Sequence, residues 1–165
     1  MSEAARMEQV EQARIAARLR YAGEVMAHRS CGVALAETFG CGIRPYTALR
    51  RGGLTGEHDC GAMRAGEMVL AELLGSDDPG AAIPPGLQAA ITEFRRRCRE
   101  RYGQAGSCRM TCNDLTEPFV EFHDSPRKRF CTELVETVAA HVAELALEHG
   151  AEVRVIPAEG SSPAT

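Results

Sequence analysis

Apolar positions recur every three to four residues along most of this chain and few segments alternate with period two, so the pattern predicts helices and no sheet. Ile15, Leu19, Ala22 and Met26 form one stripe of a first helix over residues 2–27, with charged residues on its other faces. Ser30 is placed to cap a second helix that opens with Cys31, carries Leu35 and Phe39 a four-residue step apart and ends at Gly40. Pro45 opens a short helix through Leu49. In the stretch from His58 to Gly75, Asp59 is the expected N-cap and Cys60 the first helical residue, while Val69, Leu70, Leu73 and Leu74 bury the remainder.

After the turn-rich residues 76–86, Leu87, Ile91, Phe94 and Cys98 mark a helix that runs to Tyr102 and closes at Gly103. Ser107 caps a short turn that opens with Cys108 and includes Cys112. In a last long helix, capped by Asp124 or Ser125 with Pro126 just inside, Cys131, Leu134, Val138, Val142 and Leu145 share the inward face. The expectation is an all-α, single-domain helical bundle of about five to six helices over residues 1–150. Residues 151–165 read as a loosely ordered C-terminal tail that ends in small polar residues.

Composition agrees with this pattern and narrows the chemistry. Of the 165 residues 44% are hydrophobic and 5% aromatic, enough for one ordinary core rich in helix-forming residues. The formal net charge of -4 gives the chain as a whole no attraction for nucleic acid or anionic membranes. The arginines from Arg95 to Arg101 read as a solvated face paired with Glu93 and Glu100, with binding of an acidic partner as the other reading. No apolar run approaches the roughly 20 residues that span a bilayer, so no membrane insertion is expected. The first residues have no apolar core of the kind secretion requires, and the expected location is the cytoplasm. In that compartment seven cysteines, an odd number, point to redox chemistry or metal binding more than to a disulfide framework.

Three of these cysteines, Cys31, Cys60 and Cys108, follow directly after Ser, Asp and Ser, residues that cap helices. A thiol at a helix start meets the positive end of the macrodipole, which lowers its pKa from about 8.5. Gly61, Ala62, Ala65 and Gly66 keep the first turns behind Cys60 thin, so another backbone or a second sulfur can come close. Three such helix starts, with Cys131 facing them from the last helix, would make a site of four thiols. Cys98 and Cys41 read as small buried hydrophobes. Cys112, one turn after Cys108, is a modest metal signal and a strained disulfide partner for it.

These residues carry a resemblance. The chain resembles the redox-active family named for its C_GCAxxG_C_C pattern, with Cys31 as the first cysteine, Cys60, Gly61 and Ala62 as the core, and Cys108 and Cys131 as the third and fourth. The likeness covers roughly residues 20 to 148. One departure stands in the core, where Ala65 occupies the place of the family's glycine and Gly66 follows it. The resemblance implies a redox role and names no substrate.

Two chemistries suit four thiols. In thiol-disulfide exchange or electron transfer, Cys60 attacks a partner disulfide and Cys108 or Cys131 resolves the intermediate, with Cys31 completing the site and no cofactor required. His58 could exchange a proton beside it, the alternative being a solvated loop histidine. The partner is then a redox protein or a small thiol or disulfide, and a homodimer sharing the site stays open. In the second reading Cys31, Cys60, Cys108 and Cys131 are ligands of zinc or an iron-sulfur cluster. Ligands usually arrive in close pairs such as CxxC, which this chain lacks, although facing helices in bundles also build metal sites. Phosphate-loop, dinucleotide and serine-hydrolase patterns are missing.

Overall fold

The computed structural model describes residues 1–103, 109–121 and 125–159. Among them the chain forms six α-helices and one 3-10 helix: α1 (Glu3–Ala22), α2 (Cys31–Thr38), the 3-10 helix (Arg44–Leu49), α3 (Gly61–Leu74), α4 (Pro85–Tyr102), α5 (Cys112–Thr116) and α6 (Ser125–Glu148). The all-α bundle predicted from the periodicity is the fold observed. The α1 helix lies along α6, and α3 packs among α2, α4 and α6. Leu35, Tyr46, Leu70, Phe94, Val138 and Leu145 are completely or almost completely buried in one contiguous core. Gly66 admits this packing, since a Cβ there would lie 2.6 Å from Phe94 and 2.9 Å from Val138.

The buried face of α1 differs from the predicted stripe. Ile15 is 40% exposed, and the inward face is Ala13, Ala16, Ala17, Arg20 and, from the predicted stripe, Ala22. Small residues let the two long helices approach closely, because α6 answers with Ala139, Ala143 and Ala146 among its buried residues. Arg20 is the charged exception. Its guanidinium donates to the carbonyls of Ala16 and Pro157 at 3.2 and 3.1 Å and pairs with Glu37 at 3.4 Å.

The start of the expected loose tail is packed. Val153 and Ala158 are buried, the Gln9 amide donates to the Val153 carbonyl at 3.1 Å, and the Ile156 N–H donates to the Thr38 carbonyl at 2.8 Å. Two apolar side chains and three long-range hydrogen bonds offset the entropy of ordering this segment. The end of the tail, residues 160–165, lies outside the described residues.

The arginines of α4 form the paired, solvated face that the charge pattern suggests. Arg95 meets Glu67 at 2.6 Å, Arg96 meets Glu93 at 2.7 Å and also Glu100, and Arg97 reaches Glu93 and Glu144 at 2.9 and 2.8 Å. Among the described residues no helix is long and apolar enough to cross a membrane.

Candidate functional site

The start of α3 is set by a pairing that no local pattern announces. Asp59 forms an isolated antiparallel β-bridge with Thr111, in which the Cys60 N–H donates to the Met110 carbonyl at 2.8 Å and the Cys112 N–H to the His58 carbonyl at 3.1 Å. Asp59 is therefore not the N-cap. Cys60 takes that position one residue later, and the Asp59 carboxylate pairs with Arg64 at 3.4 Å. On the other side of the bridge, Thr111 caps α5 by accepting from the Asp114 N–H at 3.1 Å, which makes Cys112 the first residue of that helix. Gly52 fits this junction because its φ of 56° is left-handed and a Cβ would lie 2.7 Å from that of Cys112.

Cys31 opens α2 after Ser30, as the sequence predicts. Its sulfur lies against the start of α3, where a Cβ on Gly61 would come within 2.9 Å of it and within 2.1 Å of the Leu49 carbonyl oxygen. Cys131, on the second turn of α6, lies by the Tyr21 hydroxyl, which favours its thiolate. Arg127, one turn earlier, also lines the cavity, and its positive charge favours the thiolates of both Cys112 and Cys131. Four segments thus bring Cys31, Cys60, Cys112 and Cys131 to the wall of one cavity of about 290 Å³. Arg50, Arg51, Arg127 and Lys128 line it as well, and Leu115, Phe130, Leu134 and Val135 give it an apolar side.

Of the four predicted site cysteines, Cys31, Cys60 and Cys131 meet here, and Cys108 lies outside the described residues. Cys112 is the thiol that sequence reasoning passed over. Its signal was a capping threonine directly before it, the same signal that singled out Cys31. His58 is exposed and stands apart from the cavity lining, whereas His28 lines it, its ring bonded to the Tyr21 carbonyl and set edge-on to the Tyr21 ring at 5.0 Å. Cys98 is buried in the apolar core as expected, and Cys41 is half-buried beside Glu72 and Tyr46.

The activation expected of Cys60 is reversed by its depth. The sulfur faces the backbone N–H groups of Ala62 and Met63, which favour the thiolate, yet no cap hydrogen bond closes and burial pushes the thiol well above its ordinary range. Burial likewise pushes Cys31 up to about 12. Cys112 and Cys131 are also raised by burial, but neighbouring groups oppose the shift: the cations Arg127 and Arg51 act on Cys112, and the neutral Tyr21 hydroxyl and Arg127 act on Cys131. Negative charge on Cys112 pushes Cys31, Cys60 and Cys131 further up. Cys112 is thus raised less far than the deeper Cys31 and Cys60.

Four thiolates are also a donor set for zinc or an iron-sulfur cluster. Among the described residues, however, no group of three or more His, Cys, Asp or Glu side chains is arranged to hold a metal ion. The six described cysteines are all free thiols.

A helical bundle that closes four thiols around one cavity defines a class of compact all-α cysteine proteins. The chain belongs to the family described as "Putative redox-active protein (C_GCAxxG_C_C)", which matches residues 43–145, well over half of its length. That span holds Cys60, Cys112 and Cys131 and begins after Cys31. Membership gives the chain a general redox role. No curated protein and no solved structure is significantly similar to it.

Proposed function

We propose that the protein carries out thiol-disulfide exchange, with Cys112 as the attacking thiol, Cys131 as the resolving thiol, and Cys31 and Cys60 as a deeper pair behind them. The observation that carries this reading is the convergence of four thiols on one cavity that Arg127 also lines, its charge favouring the thiolates of Cys112 and Cys131. A guanidinium within reach of two sulfurs stabilises whichever of them is the thiolate, at the start of the reaction and after its transfer. The Tyr21 hydroxyl favours the Cys131 thiolate for the second step. Cys60, the attacking thiol expected from its helix position, is only 8% exposed and ionises less readily than Cys112. No cofactor is needed for this chemistry.

The test uses reduced protein purified without oxygen and the neutral bis(2-hydroxyethyl) disulfide. The proposal expects two thiols released per chain. Cys112→Ser slows the first release at least about tenfold, the effect of removing an essential nucleophile, and Cys131→Ser releases one thiol and retains a mixed disulfide. Release that is unaffected in both variants contradicts it. So does one zinc or iron site per chain with all four cysteines protected, which would make them ligands.

A further inference from the structure

The cavity concentrates positive charge on a chain that is acidic overall. The formal net charge is -4, yet Arg50, Arg51, Arg127 and Lys128 line the cavity that holds the four thiols, and among the described residues no Asp or Glu lines it. The four cavity cations come from two distant stretches, the end of the 3-10 helix and the start of α6, and only the fold brings them together. One of the stretches holds Gly52, packed against Cys112, and the other holds Cys131 itself, one turn after Arg127. The basic groups and the reactive sulfurs are therefore parts of one construction.

We propose that this cavity takes a small disulfide bearing carboxylate groups, with Arg50 and Lys128 receiving the carboxylates while the disulfide meets Cys112. The proposal rests on the thiol-exchange reading and adds its substrate class. Size favours a small molecule over a protein disulfide: about 290 Å³ is at the lower end of ligand pockets, which run from about 300 Å³ upward. Such a space suits a disulfide of two amino-acid-sized halves. A disulfide fixed within a folded domain would have to bring its backbone into the same space to reach the thiols.

The step balances without another reagent. The Cys112 thiolate attacks one substrate sulfur, a bond forms between them, the substrate S–S bond breaks, and one carboxylate-bearing thiol leaves. The Cys131 thiolate then attacks the Cys112 sulfur, a Cys112–Cys131 disulfide forms and the second thiol leaves. Two protein thiols lose two electrons and two protons, which the two product thiols gain.

Three small linear disulfides of different charge test the proposal: the dianion 3,3'-dithiodipropionate, the neutral bis(2-hydroxyethyl) disulfide and the dication cystamine. Each rate with the reduced protein is divided by its rate with free dithiothreitol, which removes intrinsic reactivity. The proposal expects the dianion to exceed the neutral compound by about tenfold or more and the dication to be slowest, as in a charge-focusing cleft. The advantage shrinks as salt rises from about 0.02 M to about 0.5 M, where the Debye length becomes shorter than the cavity. Lys128→Gln and Arg50→Gln, both at exposed positions, each lower the dianion-to-neutral ratio at least about threefold. Equal normalised rates for all three compounds, independent of salt, overturn the substrate class and leave thiol exchange standing. Failure of every disulfide to react overturns both.

Discussion

Asp59 pairs with Thr111 in an isolated β-bridge, and the residue that follows each of them is a cysteine of the cavity. Residues 52 positions apart in the chain thereby set the starts of α3 and α5 in one step, and with them the places of Cys60 and Cys112. Thr111 has a second task, since its side chain caps α5. Thr111→Ala loses the cap and lowers stability by about 1 kcal/mol, whereas Thr111→Ser, which keeps the hydroxyl, changes it by less than half of that. Urea unfolding of the two variants measures the difference, and equal losses would contradict the capping role.

Gly61 sets how closely α2, α3 and the 3-10 helix approach. A methyl group there meets the Leu49 carbonyl oxygen at 2.1 Å and the Cys31 sulfur at 2.9 Å, and a backbone oxygen is not free to turn away. Gly61→Ala should cost about 1–3 kcal/mol by overpacking, although it improves local helix propensity. Thermal unfolding checks the sign, and a stabilised variant would show that the contact is looser than described.

Alkaline pH should weaken the fold. Cys31 and Cys98 are each pushed by burial from about 9 to about 12. Their thiols keep the proton in the folded chain while the unfolded chain releases it. Stability is therefore fully present below about pH 9 and falls as pH rises toward 12, by on the order of 1 kcal/mol per thiol at pH 10. Tm measured from pH 8 to pH 10 should fall, and the fall should be shallower in Cys98→Ala. A Tm that rose over this range would contradict the burial of these thiols.

The segment after α6 contributes to the bundle. Ending the chain at Gly150 removes Val153 and Ala158 from the core and leaves the buried Arg20 without its Pro157 acceptor. The loss should be roughly 3 kcal/mol, the sum of one buried valine, one alanine and a hydrogen bond to a charged group. Guanidinium unfolding of the shortened chain against the full one measures it.

The helices were legible because their burial is periodic, and Cys131 could be placed from the stripe it shares with Leu134, Val138 and Val142. The inward face of α1 was not, because alanine is small and weakly hydrophobic and Ile15 advertised the wrong side. The expected cap at Asp59 failed for a physical reason, the bridge between Asp59 and Thr111. It takes Asp59 out of the capping position, and it draws Cys112 into the cavity from a segment whose local pattern drew notice to Cys108. The acidity of Cys60 was misjudged from helix position alone, since the dipole is a local property and burial is a property of the whole fold. Likewise Arg50 and Lys128 belong to one cavity only after the chain has folded.

The most direct test of thiol exchange is peptide mapping by mass spectrometry of reduced protein after one equivalent of a small disulfide has reacted. The account predicts a Cys112–Cys131 disulfide in the unaltered chain, and a mixed disulfide carried by Cys112 when Cys131→Ser blocks the second step. A mixed disulfide carried by Cys60 or Cys108, with Cys112 still reduced, would contradict it.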